Sequence, residues 1–269
     1  MAFSGKDGAF WSQTTGSSLL SNASFATGVS NWTKGEAKTT GCWDGTGSAF
    51  VTGATTMSQT GTAVYNQYYV LSAMCKVAGS ADPTGTSYVK LSFLTSGGSV
   101  LSSGTDTIGT GASSWKRYSV IRRATPTGTR QLKASFIAGT GSDIYVDDVR
   151  CYRLEQVGGF SNWSLDVSYD THDVTCFESA GDWREFIDGL KQWSASASQY
   201  WASSDMFQAL TGTEEIYGVF YIDSDSDMTG KRWEGMVDVH GISISTPVDA
   251  VVTADITMQG TGDIAYIED

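Results

Sequence analysis

Proline and histidine are the scarcest resources of this chain, with 3 and 2 residues among 269, and positive charge is short as well, with 17 Lys and Arg against 29 Asp and Glu. The two histidines, His172 and His240, stand in no metal-type spacing. The four cysteines (Cys42, Cys75, Cys151 and Cys176) form no C-x-x-C pair. They read as buried, reduced thiols of a protein made in a cytoplasm, with a disulfide inside 42–151 left open. No apolar run approaches the roughly 18 residues that a membrane-spanning helix needs, so no membrane partner is expected. No charged, then apolar, then small-residue leader opens the sequence, so the expectation is a protein without a secretory signal. There is no G-x-S-x-G elbow, and in so acidic a chain nothing singles out one carboxylate pair for glycosidase chemistry. The expectation is that the protein is not an enzyme.

What is abundant is glycine, at 31 residues, together with Ser, Thr, Val, Tyr and Trp. That mixture suits short strands joined by tight turns. The charge is divided unevenly. Residues 15–156 hold 12 basic and 8 acidic side chains, a net of +4, whereas the rest holds 5 and 21, a net of −16. Such asymmetry suggests two domains in one chain of two-domain length. An acidic segment is poorly suited to gripping nucleic acid, because that affinity comes from neutralising phosphates. It suits a surface past which DNA moves without sticking.

The alternation of apolar and polar residues supports the division. Residues 8–13 (GAFWSQ) read as a short strand, followed by the turn-rich TTGSS. From Leu19 the segments LLSNASFATGVSNW, YNQYYVLSAMCKV, SYVKLSFLT, WKRYSVIRRA, RQLKASFIAG and DIYVDDVRCYRLE alternate between polar turns, which predicts an antiparallel sandwich. A second pattern resumes after LEQVGG. FSNWSLDVSYD and KQWSASASQYW read as strands, and EIYGVFYID and KRWEGMVDVHGISIS flank an acidic turn as a hairpin. SSDMFQALTG predicts one short helix over 203–212, capped by Ser203 or Ser204 and stopped by Gly212. Residues 8–13 and 158–168 are expected to pair as a hairpin whose turn is replaced by a whole domain. The fold class is therefore all-β. One domain is formed by 1–14 and 157–269, and a second, over 15–156, is inserted into it.

Five pieces carry a family resemblance. They are MAFSGKDG (1–8), WSLDV (163–167), DWREFIDGLK (182–191), WSASASQY (193–200) and TMQGTG (257–262). In that order they resemble the major tail tube protein of long-tailed bacteriophages. The resemblance implies a β-sandwich or barrel with a flanking helix. It also implies six copies to a ring and rings stacked into a tube in a virion tail, alongside other tail proteins. Genomic DNA would pass through the lumen without specific binding. The residues support a wet wall directly, since Ser194, Ser196 and Ser198 alternate with Ala195 and Ala197, giving one small polar and one small apolar face. The polar loop holding Asp182, Trp183, Arg184 and Glu185 contacts the next ring by the same resemblance; a solvated surface loop is its plain alternative.

Within 19–154, the pieces LLSNASFATGVSNW (19–32), YVLSAMCKV (69–77), SWKRYSV (114–120) and IYVDDVRCY (144–152) resemble jelly-roll carbohydrate-binding modules of families four and nine. That fold serves glycan binders and plain decorations alike. Trp43, Tyr65 and Tyr68, in loops or at strand starts, are the candidates for stacking on host-surface glycans, and Trp32 and Trp115 fall at motif positions that are usually core. The family resemblance also implies a structural calcium as the one cofactor to consider. Asp147 and Asp148 would supply its closing acidic pair, but Ala26 stands where the family commonly has an acidic residue. Asp223, Asp225, Asp227 and Glu234 mimic a calcium-binding loop, yet Met228 replaces the required glycine and the flanks are strand-like, so a charged turn is expected. The rival to a tail tube subunit is a carbohydrate-binding adhesin or accessory module without a tube role. A tail-terminator or hub relative that forms a single ring is a third reading.

Overall fold

The computed structural model describes residues 9–14, 18–78, 85–109, 112–157, 160–175, 184–200, 215–222 and 230–268. The segment expected to be helical, 203–212, lies outside them. Among the described residues every regular element is a strand, and the strands pair antiparallel.

The chain divides into two compact units. One, the terminal unit, comprises Met1–Ser12, Gln156–Asp223 and Lys231–Tyr266; the other, the central unit, comprises Gln13–Glu155, Ser224–Gly230 and Ile267–Asp269. The central unit contains β2 (Glu36–Lys38), β3 (Ser48–Val51), β4 (Thr56–Thr62), β5 (Tyr68–Ala78), β6 (Ser87–Leu94), β7 (Val100–Ile108), β8 (Lys116–Arg123), β9 (Gln131–Ile137) and β10 (Asp143–Gln156). They form two sheets, β2-β3-β10-β5-β8 and β4-β9-β6-β7. Alternation along each strand sends one set of side chains inward. Val89, Leu91 and Phe93 of β6 meet Leu71, Ala73 and Cys75 of β5 in one buried cluster with Leu132, Phe136, Ile144 and Val146. Trp32 is core, as its motif position suggests: its ring lies 5.6 Å from Phe25 and 5.7 Å from Phe136, and its indole N–H donates to the Asn22 carbonyl. Trp115 differs. It is half-buried on the outer side of its sheet beside Tyr145, with the Lys76 ammonium 4.6 Å from its ring centre, because it precedes β8 and follows the outward alternation of that sheet. Cys42, Cys75 and Cys151 are free thiols, so no disulfide closes 42–151.

The terminal unit is built from β1 (Ala9–Gln13), β11 (Phe160–Asp173), β12 (Phe186–Tyr200), β13 (Ile216–Tyr221), β14 (Arg232–Ser245) and β15 (Thr253–Ile267), in the order β11-β12-β15-β14-β13-β1. The expected hairpin between 8–13 and 158–168 forms a few residues earlier in the returning strand: β1 lies between β13 and the end of β10, the Val157 amide donates to the Phe10 carbonyl at 3.1 Å, and Phe160–Asp173 pairs with β12 instead. Strand β1 pairs with β13, Ala9 opposite Tyr221 and Phe10 opposite Phe220. On its other side the buried Phe10 ring, 4.8 Å from that of Phe220, holds β1 against β13. The Phe10 ring also lies 5.2 Å from Phe160, and Trp163 lies 5.6 Å from Phe220. Side chains from the first strand of the sheet thus touch those from its last two, so the sheet folds over on itself around one core. Phe10, Trp193, Ala195, Ala197, Val237, Ile256 and Met258 belong to that core.

Two details fix the packing of this core. The Trp193 indole lies flat over two glycines: a Cβ on Gly260 would fall 2.0 Å from Trp193 Cε2, and one on Gly235 would fall 2.5 Å from Trp193 Cζ2. Its N–H donates to the Gly262 carbonyl at 3.2 Å. On the opposite face of β13 and β14, Arg232 and Glu234 are fully buried, with Arg232 Nε donating to Glu234 Oε1 at 2.5 Å. The Tyr217 hydroxyl donates to Glu234 Oε2, also at 2.5 Å.

Candidate functional site

The terminal unit presents a two-faced wall. In β12, Trp193, Ala195, Ala197 and Gln199 are buried, whereas Ser194, Ser196 and Ser198 face outward. Strand β15 repeats the pattern, burying Ala254, Ile256 and Met258 and exposing Asp255, Thr257 and Gln259. In β14, Val237 and Val239 are buried, and Asp238 and His240 are exposed. The register aligns these outward residues across strands, with Ser198 opposite Asp255, Ser196 opposite Thr257 and Ser164 of β11 opposite Ser196. Short hydrogen bonds tie them laterally: Ser198 Oγ donates to Asp255 Oδ1 at 2.6 Å, and the Ser164 and Ser196 hydroxyls lie 2.8 Å apart. The result is a smooth hydroxylated surface carrying Asp166, Asp238 and Asp255. These groups can hold water and repel anions, and they include no nucleophile–base pair.

Beyond this wall, β11 and β12 pair only with each other among the described residues. Strand β12 pairs with β15 only over Ser194–Tyr200, whereas β11 and β12 stay paired out to Asp173 opposite Phe186. The extension is exposed on both faces and carries Val167, Tyr169, Phe186, Ile187 and Leu190, the last at 83% exposure. A register shift between Tyr169 and Thr171 bends it, and Gly189 sits there with room for no Cβ beside Asp170. Arg184 and Glu185, two of the four candidate inter-ring residues, lie at its far end. Arg184 reaches Asp173 at 3.6 Å, and the Glu185 amide donates to Thr175 Oγ1 at 2.9 Å. The Thr175 hydrogen bonds, helped by Arg184, hold the Asp173 carboxyl below the usual carboxylate range. Asp182 and Trp183 lie outside the described residues, as do Asp223, Asp225 and Asp227.

In the central unit the aromatic candidates fall into two places. Trp43, 42% exposed, sits on the loop between β2 and β3, and its amide donates to Asp147 Oδ2 at 2.8 Å. The same end of the sheet carries Phe50, Tyr145, Trp115 and Lys76, in a row the sequence reading missed. Only the outward alternation of AFV and DIYV hinted at it. Tyr65, 42% exposed, lies in the turn before β5, and Tyr68 opens β5 beneath the Arg123 guanidinium, 5.4 Å from the ring centre. Asp147 pairs with Met74, six residues along β5 from Tyr68. The two groups are therefore separated by about 20 Å of strand and cannot form one stacking platform.

The residues suggested for calcium do not fit that ion. Both nearby cations are guanidinium groups: Arg117 and Arg150 bind the Asp148 carboxylate. Asp147 is fully buried and its oxygens already accept from the amides of Trp43 and Asp148. Burial pushes its carboxyl up to about 6, with those amides pulling the other way. A bulge between Asp147 and Arg150 puts Asp148 at a φ of 42°, and the two arginines hold it there. Among the described residues, no group of three or more metal-type side chains converges.

Residues 144–266 match the family described as phage tail tube protein. No curated protein matches the sequence. Among solved structures, a chain of the virion of a native gene transfer agent particle is 20% identical, with a TM-score of 0.38, covering 42% of this chain and 88% of that one. A chain from the tail of an empty gene transfer agent particle with C6 symmetry is 19% identical, with a TM-score of 0.37, covering 43% and 87%. The CBM22-1 xylan-binding domain from Paenibacillus barcinonensis is 13% identical, with a TM-score of 0.40, covering 52% and 97%. The family match takes in β11 to β15, the strands that build the two-faced wall. Through residues 144–266 this chain carries a phage tail tube protein domain, and it is a structural protein of the virion tail.

Proposed function

We propose that residues 1–14 and 157–269 form a tube domain that closes into rings of six copies, and that these rings stack into the conduit for DNA ejection. Residues 15–156 form an inserted jelly roll that decorates the outside of the tail. Six is the ring number that the tail tube resemblance implies. The observation that carries the reading is the conjunction of the family match over 144–266 with the wall it covers, buried and apolar on one face and hydroxylated and acidic on the other. Turned to the lumen, that face would repel phosphate and let DNA slide.

The paired extension of β11 and β12 supports assembly. A two-stranded ribbon alone in water is marginally stable. Exposed Val167, Tyr169, Ile187 and Leu190 suit a second copy of this chain as the missing support. With Arg184 and Glu185 at its tip, the extension would reach the adjacent ring. The role is structural, and no chemistry is assigned to it. Other tail proteins would cap the tube at its ends.

The central unit is the part suited to glycans, with the exposed Trp43 and Tyr65 as stacking residues. One weak sugar contact per subunit would be amplified by repetition along a tail. Sedimentation velocity of the purified chain over a range of concentration and salt tests assembly. Species of six copies or more are expected; a monomer under every condition would refute the tube reading.

A further inference from the structure

The central unit has a second surface feature away from Trp43. Between β7, an edge of one sheet, and β8, an edge of the other, lies a groove of ≈ 220 Å³ lined by Phe93, Ser102, Ser103, Arg122, Arg123 and Thr125. Arg122 follows Tyr118 and Val120 in the inward alternation of β8, so its stem enters the mouth of the sandwich. It fits because β7 has glycine there: a Cβ on Gly104 would meet Arg122 Nε at 2.3 Å and Cγ at 2.9 Å. Arg123 points the other way and lies over the Tyr68 ring, its cross-strand neighbour.

Neither guanidinium makes an ion pair or a side-chain hydrogen bond among the described residues. That contrasts with the other arginines of the central unit. Arg117 and Arg150 bind Asp148, Arg153 binds Glu155, and Arg130 donates to the Thr129 carbonyl. Asp143 and Asp147 also accept from backbone amides, so the acidic groups are engaged elsewhere while two adjacent arginines are not. Guanidinium groups present paired N–H donors that match carboxylate and phosphate geometry, and hydroxyls beside them match the hydroxyls of a sugar.

We infer that this groove binds the oxyanion of an acidic glycan, a carboxylate or phosphate on a surface polysaccharide. Arg122, whose stem enters the groove, holds the anion, Arg123 at the outer lip adds positive charge to the same mouth, and Ser102, Ser103 and Thr125 hold neighbouring hydroxyl groups. Tyr68 keeps Arg123 in place from below and is a positioning residue. The inference rests on the glycan reading of the central unit and narrows it to acidic ligands at a defined place. A net charge of +4 over residues 15–156, against −16 for the rest, favours such a ligand at this unit.

The full-length protein should be titrated calorimetrically with oligogalacturonate, with a neutral galacto-oligosaccharide of the same length, and with inorganic phosphate. Wild type, Arg122→Gln, Arg123→Gln, the double variant and Trp43→Ala are to be compared, with circular dichroism confirming that each is folded. Binding of oligogalacturonate is expected to weaken at least tenfold in the double variant. It should weaken with added salt and be unchanged in Trp43→Ala. Binding of phosphate alone, lost in the double variant, would assign the groove to phosphorylated polymers and still support it. Binding of the neutral sugar with no effect of either arginine would overturn the groove and leave the glycan reading standing. No binding of any probe by folded protein would overturn both.

Discussion

Single residues decide how tightly each unit is held. Gly260 is the sharpest case, because the Trp193 indole occupies the space a methyl group would need. Gly260→Ala is expected to destabilise the terminal unit by about 1–3 kcal/mol, the usual cost of forcing a core open. A urea titration followed by Trp fluorescence would check it, and an unchanged midpoint would show that the strand can shift without cost. Glu234→Ala removes the carboxylate that meets Arg232 in a fully buried site and should cost about 3–5 kcal/mol. Asp147 makes a different prediction. Its carboxyl is raised by burial to about 6, so its contribution to stability is fully present below the ordinary pKa near 3.8 and is lost as pH rises through 6. Asp147→Asn should remove that slope, worth on the order of 1–3 kcal/mol, from the difference between pH 4 and pH 7. With Asp148 bound by two arginines, added calcium or a chelator should leave the thermal midpoint unchanged. A rise on adding calcium would contradict the assignment. None of this was legible in the sequence. The pair Asp147–Asp148 looks like a metal motif until Arg117, 31 positions before Asp148 in the chain, is seen to bind that carboxylate. Glu234 looks like part of an acidic turn until it is found with no exposed surface.

At the scale of elements, alternation was legible and partnership was not. The Ser/Ala alternation of 194–198 exposes one face and buries the other, because a strand in a one-sided sheet has no alternative. The two sheets of the central unit follow from the same periodicity. Sequence could not say that β1 pairs with β13, because contacts at a separation of about 210 residues depend on which rings fill the core. Nor could it foresee that β11 and β12 outrun their sheet, or that Arg122 turns inward where Gly104 leaves space. The extension yields the prediction at this scale. Ile187→Lys with Leu190→Lys should abolish assembly in sedimentation while leaving the urea midpoint within about 0.5 kcal/mol, as for exposed substitutions generally. Assembly that survives both charges would remove the extension from the subunit interface.

For the molecule as a whole, the division of charge is the feature that joins structure to role. The acidic unit carries the tail tube match and the hydroxylated wall; the basic unit carries the aromatic and arginine surfaces. If the wall lines a channel, replacing Asp238 and Asp255 with Lys should give assemblies that retain DNA in a salt-dependent way, whereas wild-type assemblies retain none. The most direct measurement of the central claim is cryo-electron microscopy of the assembled protein. Hollow, striated tubes are predicted, with six subunits per ring, Ser194, Ser196 and Ser198 on the channel surface and the central unit projecting outward. Isolated monomers at every concentration and salt, or tubes with that serine face turned away from the channel, would contradict it.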